Sequence, residues 1–233
     1  MDPKTKKRAT FLAGFILYFV ILFFLWDTAI IYPVKVFVVF LHEISHALAA
    51  VATGGTVERI VLDANQGGAA YTRGGSGFFT LSAGYLGSLL WGALFIMLGF
   101  SRRLKPSWVI GGIGALVILA TVFLVRSAFG LGFGLVFGAA LLVGSKYLSQ
   151  GLNRILLLGL GLTSALYAIL DIKSDILDRS ALPSDARMLA EMTGIPTVLW
   201  GFLWIAIALL VSAWLLRWVA RRMDQFDLDP QAP

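Results

Sequence analysis

Seven long apolar stretches limit what this sequence can fold into. Each contains about 20 mostly apolar residues, the length that an α-helix needs to cross the hydrocarbon core of a bilayer. Because backbone polar groups at that depth must be bonded within the protein, we interpret the stretches as transmembrane helices. The predicted spans are Phe11–Ile31, Val34–Val51, Phe79–Phe100, Trp108–Val125, Ser127–Gly144, Leu152–Asp171 and Thr197–Val219.

The composition agrees with a membrane protein. Hydrophobic residues make up 58% of the chain and charged residues 14%, against roughly 45–50% and about 25% in soluble domains. This leaves too little polar surface for a secreted enzyme, a nucleic-acid reader or a disordered regulator. The absence of cysteine excludes disulfides, iron–sulfur clusters and thiolate zinc sites. We therefore expect an all-α integral membrane protein that forms one polytopic domain over residues 1–233, surrounded by the lipid bilayer and without a nucleic-acid partner.

The charged residues give only weak information on orientation. The formal net charge of +6 is typical of a protein that meets anionic lipid headgroups. The basic start Lys4–Arg8 favours a cytoplasmic N-terminus, but Arg102, Arg103 and Lys105 would then lie outside, against the positive-inside rule. Only Arg126 separates the fourth and fifth spans, which predicts either a tight helical hairpin or a re-entrant segment.

Two segments between the spans are not transmembrane helices. Thr56–Leu62 is rich in β-prone residues, and Ala69–Arg73 follows it after a turn-like stretch. This pattern predicts a short β-hairpin between the second and third spans. The polar segment before the last span predicts a loop with a short helix over Asp185–Met192, capped by Ser184.

Both histidines of the chain lie in one motif inside the second span. His42-Glu43-Ile44-Ser45-His46 has the form H-E-x-x-H. Positions i and i+4 share a helix face, so both imidazoles can bind one zinc ion, and Glu43 can take a proton from a metal-bound water. The alternative is that the histidines simply pack in the bundle. Since ionisable groups inside a span are costly and by default functional, the motif favours a metal site.

This motif in a transmembrane helix resembles the site-2-protease class of intramembrane zinc metalloproteases, the M50 family, and most closely its M50B-like branch. The resemblance covers most of residues 34–205, the expected zinc-protease core. The N-x-x-P-x-x-L-D-G signature of typical site-2 proteases is missing, as are PDZ and CBS domains. Besides the motif, the resemblance rests on Ser82–Ser88, Asp171–Ile172 through Ser184–Ala186, Gly194–Pro196 and Trp200–Trp204.

The resemblance implies a zinc-dependent intramembrane endopeptidase that cuts membrane-spanning proteins. Zn2+ would be held by His42 and His46, with Glu43 as the catalytic general base. With a cytoplasmic N-terminus, the active site is expected toward the cytoplasmic side of the membrane. A catalytically silent scaffold or chaperone of the same family is the first alternative, and the retained Glu43 argues against it. A metal or ion transporter is a further alternative, and the chain shows no inverted repeats that would favour it.

An aspartate on a later span completes the zinc site of site-2 proteases, and the resemblance implies the same here. Asp171 is the most embedded candidate and is our predicted third ligand, with Asp175 as the alternative and Asp185 ranked after both. Asp171 reaches the histidines only if the second and sixth spans run in the same direction. That requires three spans between them, as in the seven-span arrangement.

A substrate of such a protease must be locally extended, because peptide bonds inside a helix are shielded. Thr56–Leu62 is predicted to offer an edge strand to which the extended substrate adds. The alternative for this segment is an ordinary amphipathic loop.

Overall fold

The computed structural model describes residues 3–26, 28–178 and 183–223, which form a helical bundle with one two-stranded sheet. A single π-helical turn, Ser174–Asp178, continues the sixth helix. The strands are β1 (Thr56–Leu62) and β2 (Gly68–Arg73), and the helices are α1 (Pro3–Leu25), α2 (Tyr32–Ala52), α3 (Gly77–Gly99), α4 (Pro106–Leu124), α5 (Ala128–Tyr147), α6 (Gln150–Lys173), α7 (Asp185–Thr193) and α8 (Thr197–Met223).

The helices confirm the predicted fold class. Among the described residues, six helices are long and apolar enough to cross a membrane, namely α2 to α6 and α8. The apolar part of α1 is shorter and covers Ile16–Leu25, so the total is about seven. The chain is therefore a multi-pass integral membrane protein. The prediction that the first span reaches Ile31 is wrong. Helix α1 ends at Leu25, whose carbonyl accepts hydrogen bonds from the N–H and the hydroxyl of Thr28, and α2 begins at Tyr32 with Pro33 in its first turn, where a missing N–H costs nothing.

Helix α2 is the most enclosed of the membrane helices. Every residue from Lys35 to Glu43 is buried. The ring of Phe37 stacks on Phe95 of α3 and on Phe137 of α5, with centroid separations of 6.3 and 5.0 Å. The H-E-x-x-H motif is therefore held on a helix whose neighbours fix its rotation.

Helices α3 and α6 pack through glycine. A Cβ on Gly92 would lie 2.7 Å from the backbone nitrogen of Ala165 and 2.7 Å from the carbonyl oxygen of Gly161, so the two backbones are in direct contact. Such close approach at small residues is a common way for membrane helices to associate. Because α3 also packs on α2, this contact places α6 beside the helix that carries the histidines.

The β-hairpin runs back along α2. Its strands are antiparallel, from Thr56 opposite Arg73 to Leu62 opposite Gly68, and both pack on α2. At the tip, the hydroxyl of Tyr32 in the first turn of α2 donates to the carbonyl of Ala64 at 2.8 Å. The predicted hairpin is confirmed, but it lies against the bundle rather than outside it.

The connection between α4 and α5 closes the outer edge of β1. The backbone N–H of Arg126 donates to the carbonyl of Ile60 at 2.9 Å. The hydroxyl of Ser127 accepts from the N–H of Leu62 at 3.0 Å and donates to its carbonyl at 2.8 Å. Helices α4 and α5 are thus a tight hairpin of two helices. Within the described ranges β2 has a strand partner only on the side of β1.

Helix α7 begins at the N-cap that the sequence predicts and ends at Thr193, one residue after the predicted Met192. The hydroxyl of Ser184 accepts a hydrogen bond from the N–H of Arg187, which caps the start of the helix. Gly194 ends it in the left-handed conformation at φ 73°, and its N–H donates to the carbonyl of Ala190. The short helix predicted over Asp185–Met192 is confirmed and begins at Asp185.

Candidate metal centre

The two histidines of the motif lie on one face of α2. Their rings are 4.7 Å apart between centroids, and both residues are buried, with 8% exposure for His42 and 6% for His46. This is the arrangement expected of residues four apart on a helix. The pair therefore offers two neighbouring imidazoles at a site shielded from bulk water.

Asp185, the first residue of α7, completes a group of three possible ligands. Its Oδ2 atom lies 3.0 Å from Nε2 of His42 and 3.1 Å from Nε2 of His46. One ligand atom from each of the three residues lies within 4.8 Å of the others. Tetrahedral zinc with bonds of about 2.0–2.2 Å places its ligands roughly 3.3 Å apart, close to these separations.

The second ring nitrogen of each histidine faces an acceptor. Nδ1 of His46 donates to the carbonyl of Thr80 at 2.6 Å, and Nδ1 of His42 lies 3.6 Å from Oδ2 of Asp171. A carbonyl or carboxylate on Nδ1 favours the tautomer whose Nε2 is free to bind a metal. Two Nε2 atoms and one carboxylate therefore fit the three protein ligands of a catalytic zinc site.

The charge of Asp185 suits a metal ligand. Burial alone raises the pKa of its carboxyl, but the neighbouring charges of His46 and His42 and their hydrogen bonds outweigh burial and hold the pKa well below its usual range. The carboxylate therefore stays ionised, as metal binding requires. Its place in the first turn of α7 adds the favourable field of a helix N-terminus.

Helix α3 approaches the histidines at a glycine. A Cβ on Gly84 would lie 2.3 Å from Nε2 of His42 and 2.6 Å from Nε2 of His46. Any larger residue would therefore push into the space between the two ligand atoms. The Gly-rich start of α3 keeps this space open while it still packs tightly on α2.

Glu43 lies outside the ligand group and faces the hairpin. Its side chain is buried, with 5% exposure of the residue, and its carboxylate faces the backbone of β2 at Gly68 and the N–H of Ala70. Glu43, both histidines and Asp185 line one cavity of about 580 Å³, whose wall includes β2. A buried carboxylate and three possible metal ligands thus share one cavity in a largely apolar bundle.

The aspartates ranked first and second from the sequence also line this cavity. Asp171 lies beside Nδ1 of His42, on the side of the ring that faces away from Asp185. Asp175 is buried on the π-helical turn and accepts a hydrogen bond from the hydroxyl of Tyr85, whose ring meets His42 edge-on at 5.4 Å between centroids. The structure therefore groups Asp185, rather than the predicted Asp171 or its alternative Asp175, with the two histidines.

Comparison with protein families places these observations in context. The family model described as Peptidase M50B-like matches residues 15–215, most of the chain. The chain belongs to the M50B-like peptidase family. Searches of curated proteins and of solved structures each found no match.

Membership of the M50B-like family agrees with the resemblance seen in the sequence and assigns the chain to a peptidase class. The contact between Asp171 and His42 also fits the argument that α2 and α6 run in the same direction. The sequence ranks Asp185 after Asp171 and Asp175, whereas the structure places Asp185 beside both histidines. The feature of the sequence that could have indicated Asp185 is its position directly after Ser184, at the capped start of a short polar helix. Asp171 ranked first because it lies deeper in its apolar stretch.

Proposed function

We propose that this M50B-like peptidase is a zinc-dependent endopeptidase that cuts membrane-spanning protein substrates. The observation that carries the proposal is the convergence of His42, His46 and Asp185 in the cavity that also holds Glu43. A buried base beside three converging ligands is what hydrolysis of a peptide bond by an activated water requires.

In this proposal His42, His46 and Asp185 hold the zinc ion. When bound, the ion supplies a Lewis acid for the scissile carbonyl and lowers the pKa of water. Thr80 and Asp171 keep the imidazoles turned so that Nε2 faces the site. Asp171 thus takes part in orienting a ligand, in place of the ligand role that the sequence suggested.

Glu43 acts as the general base and the general acid of the proposed reaction. Its carboxylate takes a proton from the attacking water and then gives it to the departing amine nitrogen, so the same group serves as base and acid. The surrounding bundle excludes bulk water, which strengthens each charge interaction in the cavity.

We place the proposed substrate strand on β2 rather than on the predicted β1. The predicted edge, Thr56–Leu62, is bonded to β2 on one side and, at Ile60 and Leu62, to the α4–α5 connection on the other. In an antiparallel pair, alternate residues turn their N–H and C=O groups outward. The backbone polar groups of Ile60 and Leu62 point to that connection. The backbone polar groups of their partners on β2, Ala70 and Gly68, therefore point the opposite way, toward the cavity.

An extended substrate segment added to β2 would therefore lie along the cavity wall. Backbone polar groups at membrane depth need partners or water, and an edge that lines a polar cavity meets this condition. Strand addition supplies backbone hydrogen bonds without selecting particular side chains. The proposal thus explains how a transmembrane segment, once locally unwound, is presented to Glu43 and the ligand group.

The proposal is tested with purified protein in lipid vesicles that carry a tagged single-span substrate. We expect about one zinc per wild-type chain and cleavage within the span, while Glu43→Gln keeps its zinc and loses cleavage by at least roughly 100-fold. Near wild-type cleavage by Glu43→Gln would overturn the protease mechanism. Zinc binding without cleavage of any single-span substrate would instead support the scaffold function.

A further inference from the structure

We infer that β2 positions the general base, with Gly68 and Ala70 as the positioning residues for Glu43. The inference rests on the proposed role of Glu43 and assigns a task to the hairpin that is separate from substrate binding. It is carried by the close approach of Gly68 to Glu43, by the direction in which the N–H of Ala70 points and by the anchoring of the hairpin from its far side.

The backbone N–H of Ala70 faces the carboxylate of Glu43 and favours its ionised form, and we infer that it donates a hydrogen bond to this carboxylate. Ile60, the partner of Ala70, turns its carbonyl to Arg126 on the opposite edge, so the N–H of Ala70 is not part of the β1–β2 ladder. This donor is therefore available to Glu43 without loss of sheet pairing. A backbone donor has no side-chain freedom, so it fixes the carboxylate more closely than a side-chain donor would.

The close approach is at Gly68. A Cβ there would lie 2.6 Å from Oε1 of Glu43, 2.8 Å from its Cγ and 2.9 Å from Cγ1 of Val39. Glycine lets the strand touch the side chain of Glu43 along its length. Any side chain at this position must displace Glu43, whose end is the most flexible of the groups in contact.

The hairpin is held in place from the other edge. Ser127 bonds both backbone groups of Leu62, and Arg126 bonds Ile60, opposite the two positioning residues on β2. The position of Glu43 is thereby tied to the α4–α5 connection through two strands. The proposed substrate pairs with the other outward groups of β2, among them the N–H of Thr72, while the N–H of Ala70 serves Glu43. One strand would then set the distance between the base and the peptide bond that is cut.

The first test replaces Gly68 with alanine. We expect kcat for cleavage of the tagged single-span substrate to fall roughly 100-fold, the size of a lost general base. Because the ligands are untouched, zinc content stays at the wild-type level, and KM changes by less than about threefold. Gly132→Ala is the matched control, since its Cβ meets nothing within 4 Å. An unchanged kcat, or a rise in KM alone, would overturn the inference.

The second test needs neither metal nor activity. In zinc-free protein labelled with 15N-alanine, the Ala70 amide proton is identified by its loss in Ala70→Gly. A hydrogen bond to a carboxylate shifts this proton downfield, so Glu43→Gln and Gly68→Ala should both move it upfield, while Gly132→Ala leaves it in place. If the Ala70 signal is the same in the wild type and in Glu43→Gln, the hydrogen bond is absent and the inference fails.

The two proposals fail in different ways. If the wild type cleaves no substrate while the Ala70 signal responds to Glu43→Gln, the geometry stands and the protease function is wrong. If the wild type cleaves and Glu43→Gln does not, but Gly68→Ala is fully active, the protease function stands and the positioning role is wrong.

Discussion

The identity of the third ligand can be decided by one matched pair of substitutions, Asp185→Asn and Asp171→Asn. Each removes one negative charge and keeps the size of the side chain. Oδ2 of Asp185 lies 3.0 and 3.1 Å from the two Nε2 atoms, whereas Asp171 lies 3.6 Å from Nδ1 of His42. The two variants should therefore differ in zinc affinity far more than in fold.

The magnitude follows from the binding energy of zinc sites. The free energy of zinc binding in structural sites, roughly 10–16 kcal/mol, divided among three or four ligands gives about 3–4 kcal/mol for each ligand. Asp185→Asn should then weaken zinc binding roughly 100- to 1,000-fold. Loss of a carboxylate that only orients a metal-binding histidine lowers the metal affinity about 10- to 100-fold. The loss of zinc affinity in Asp171→Asn should therefore stay at or below that range.

The assay is competition of detergent-solubilised protein with a chromophoric zinc chelator, and zinc content is checked by elemental analysis. Far-UV circular dichroism shows that both variants keep their helices. A larger loss of affinity in Asp171→Asn than in Asp185→Asn would refute the ligand group described above. It would restore Asp171, the residue that the sequence ranked first.

Three further predictions concern the surroundings of the site. Gly84→Ala should abolish zinc binding, because its Cβ would lie 2.3 Å from Nε2 of His42. Elemental analysis measures the bound zinc, and retained zinc would contradict the close approach of α3. Thr72→Pro removes an outward N–H of β2 and should raise KM roughly fivefold in the cleavage assay. Thr72→Ala keeps that N–H and should leave KM unchanged, and equal KM values for the two variants would eliminate substrate pairing with β2. In this cysteine-free chain, a single cysteine placed at the exposed Glu191 should react with a thiol reagent applied from the cytoplasmic side of the membrane. A single cysteine at the exposed Lys105 should react from the opposite side, and the reverse pattern would mean that the proposed orientation is inverted.

The fold class and the core of the site could be predicted from short-range features of the sequence. Apolar stretches of bilayer length predict spans, and two histidines four apart on a helix must share a face. Capping by Ser184 is equally local, and the structure agrees with it.

The role of Asp185 could not be predicted in this way, because it depends on how the chain returns after α6. Depth in the membrane favoured Asp171, but the path through the π-helical turn to α7 decides which carboxylate faces both histidines. The position of the hairpin was missed for a similar reason. A strand pattern does not show that Tyr32 bonds Ala64, nor that Ser127 closes one edge of β1 and leaves β2 to line the cavity.

The ligand group joins two distant parts of the chain, since His42 and Asp185 are 143 positions apart. An ion bound there acts as a cross-link between the centre of the bundle and the short helix α7. A ligand present at 1,000 times its Kd stabilises the folded state by about 4 kcal/mol. In this protein the stabilisation by the proposed ion would act on the packing of α7 and α8 against α3, because α2 is already enclosed by its neighbours. The metal ion proposed for catalysis would therefore also hold the C-terminal part of the bundle closed, and the assembly of this part of the fold would depend on zinc supply.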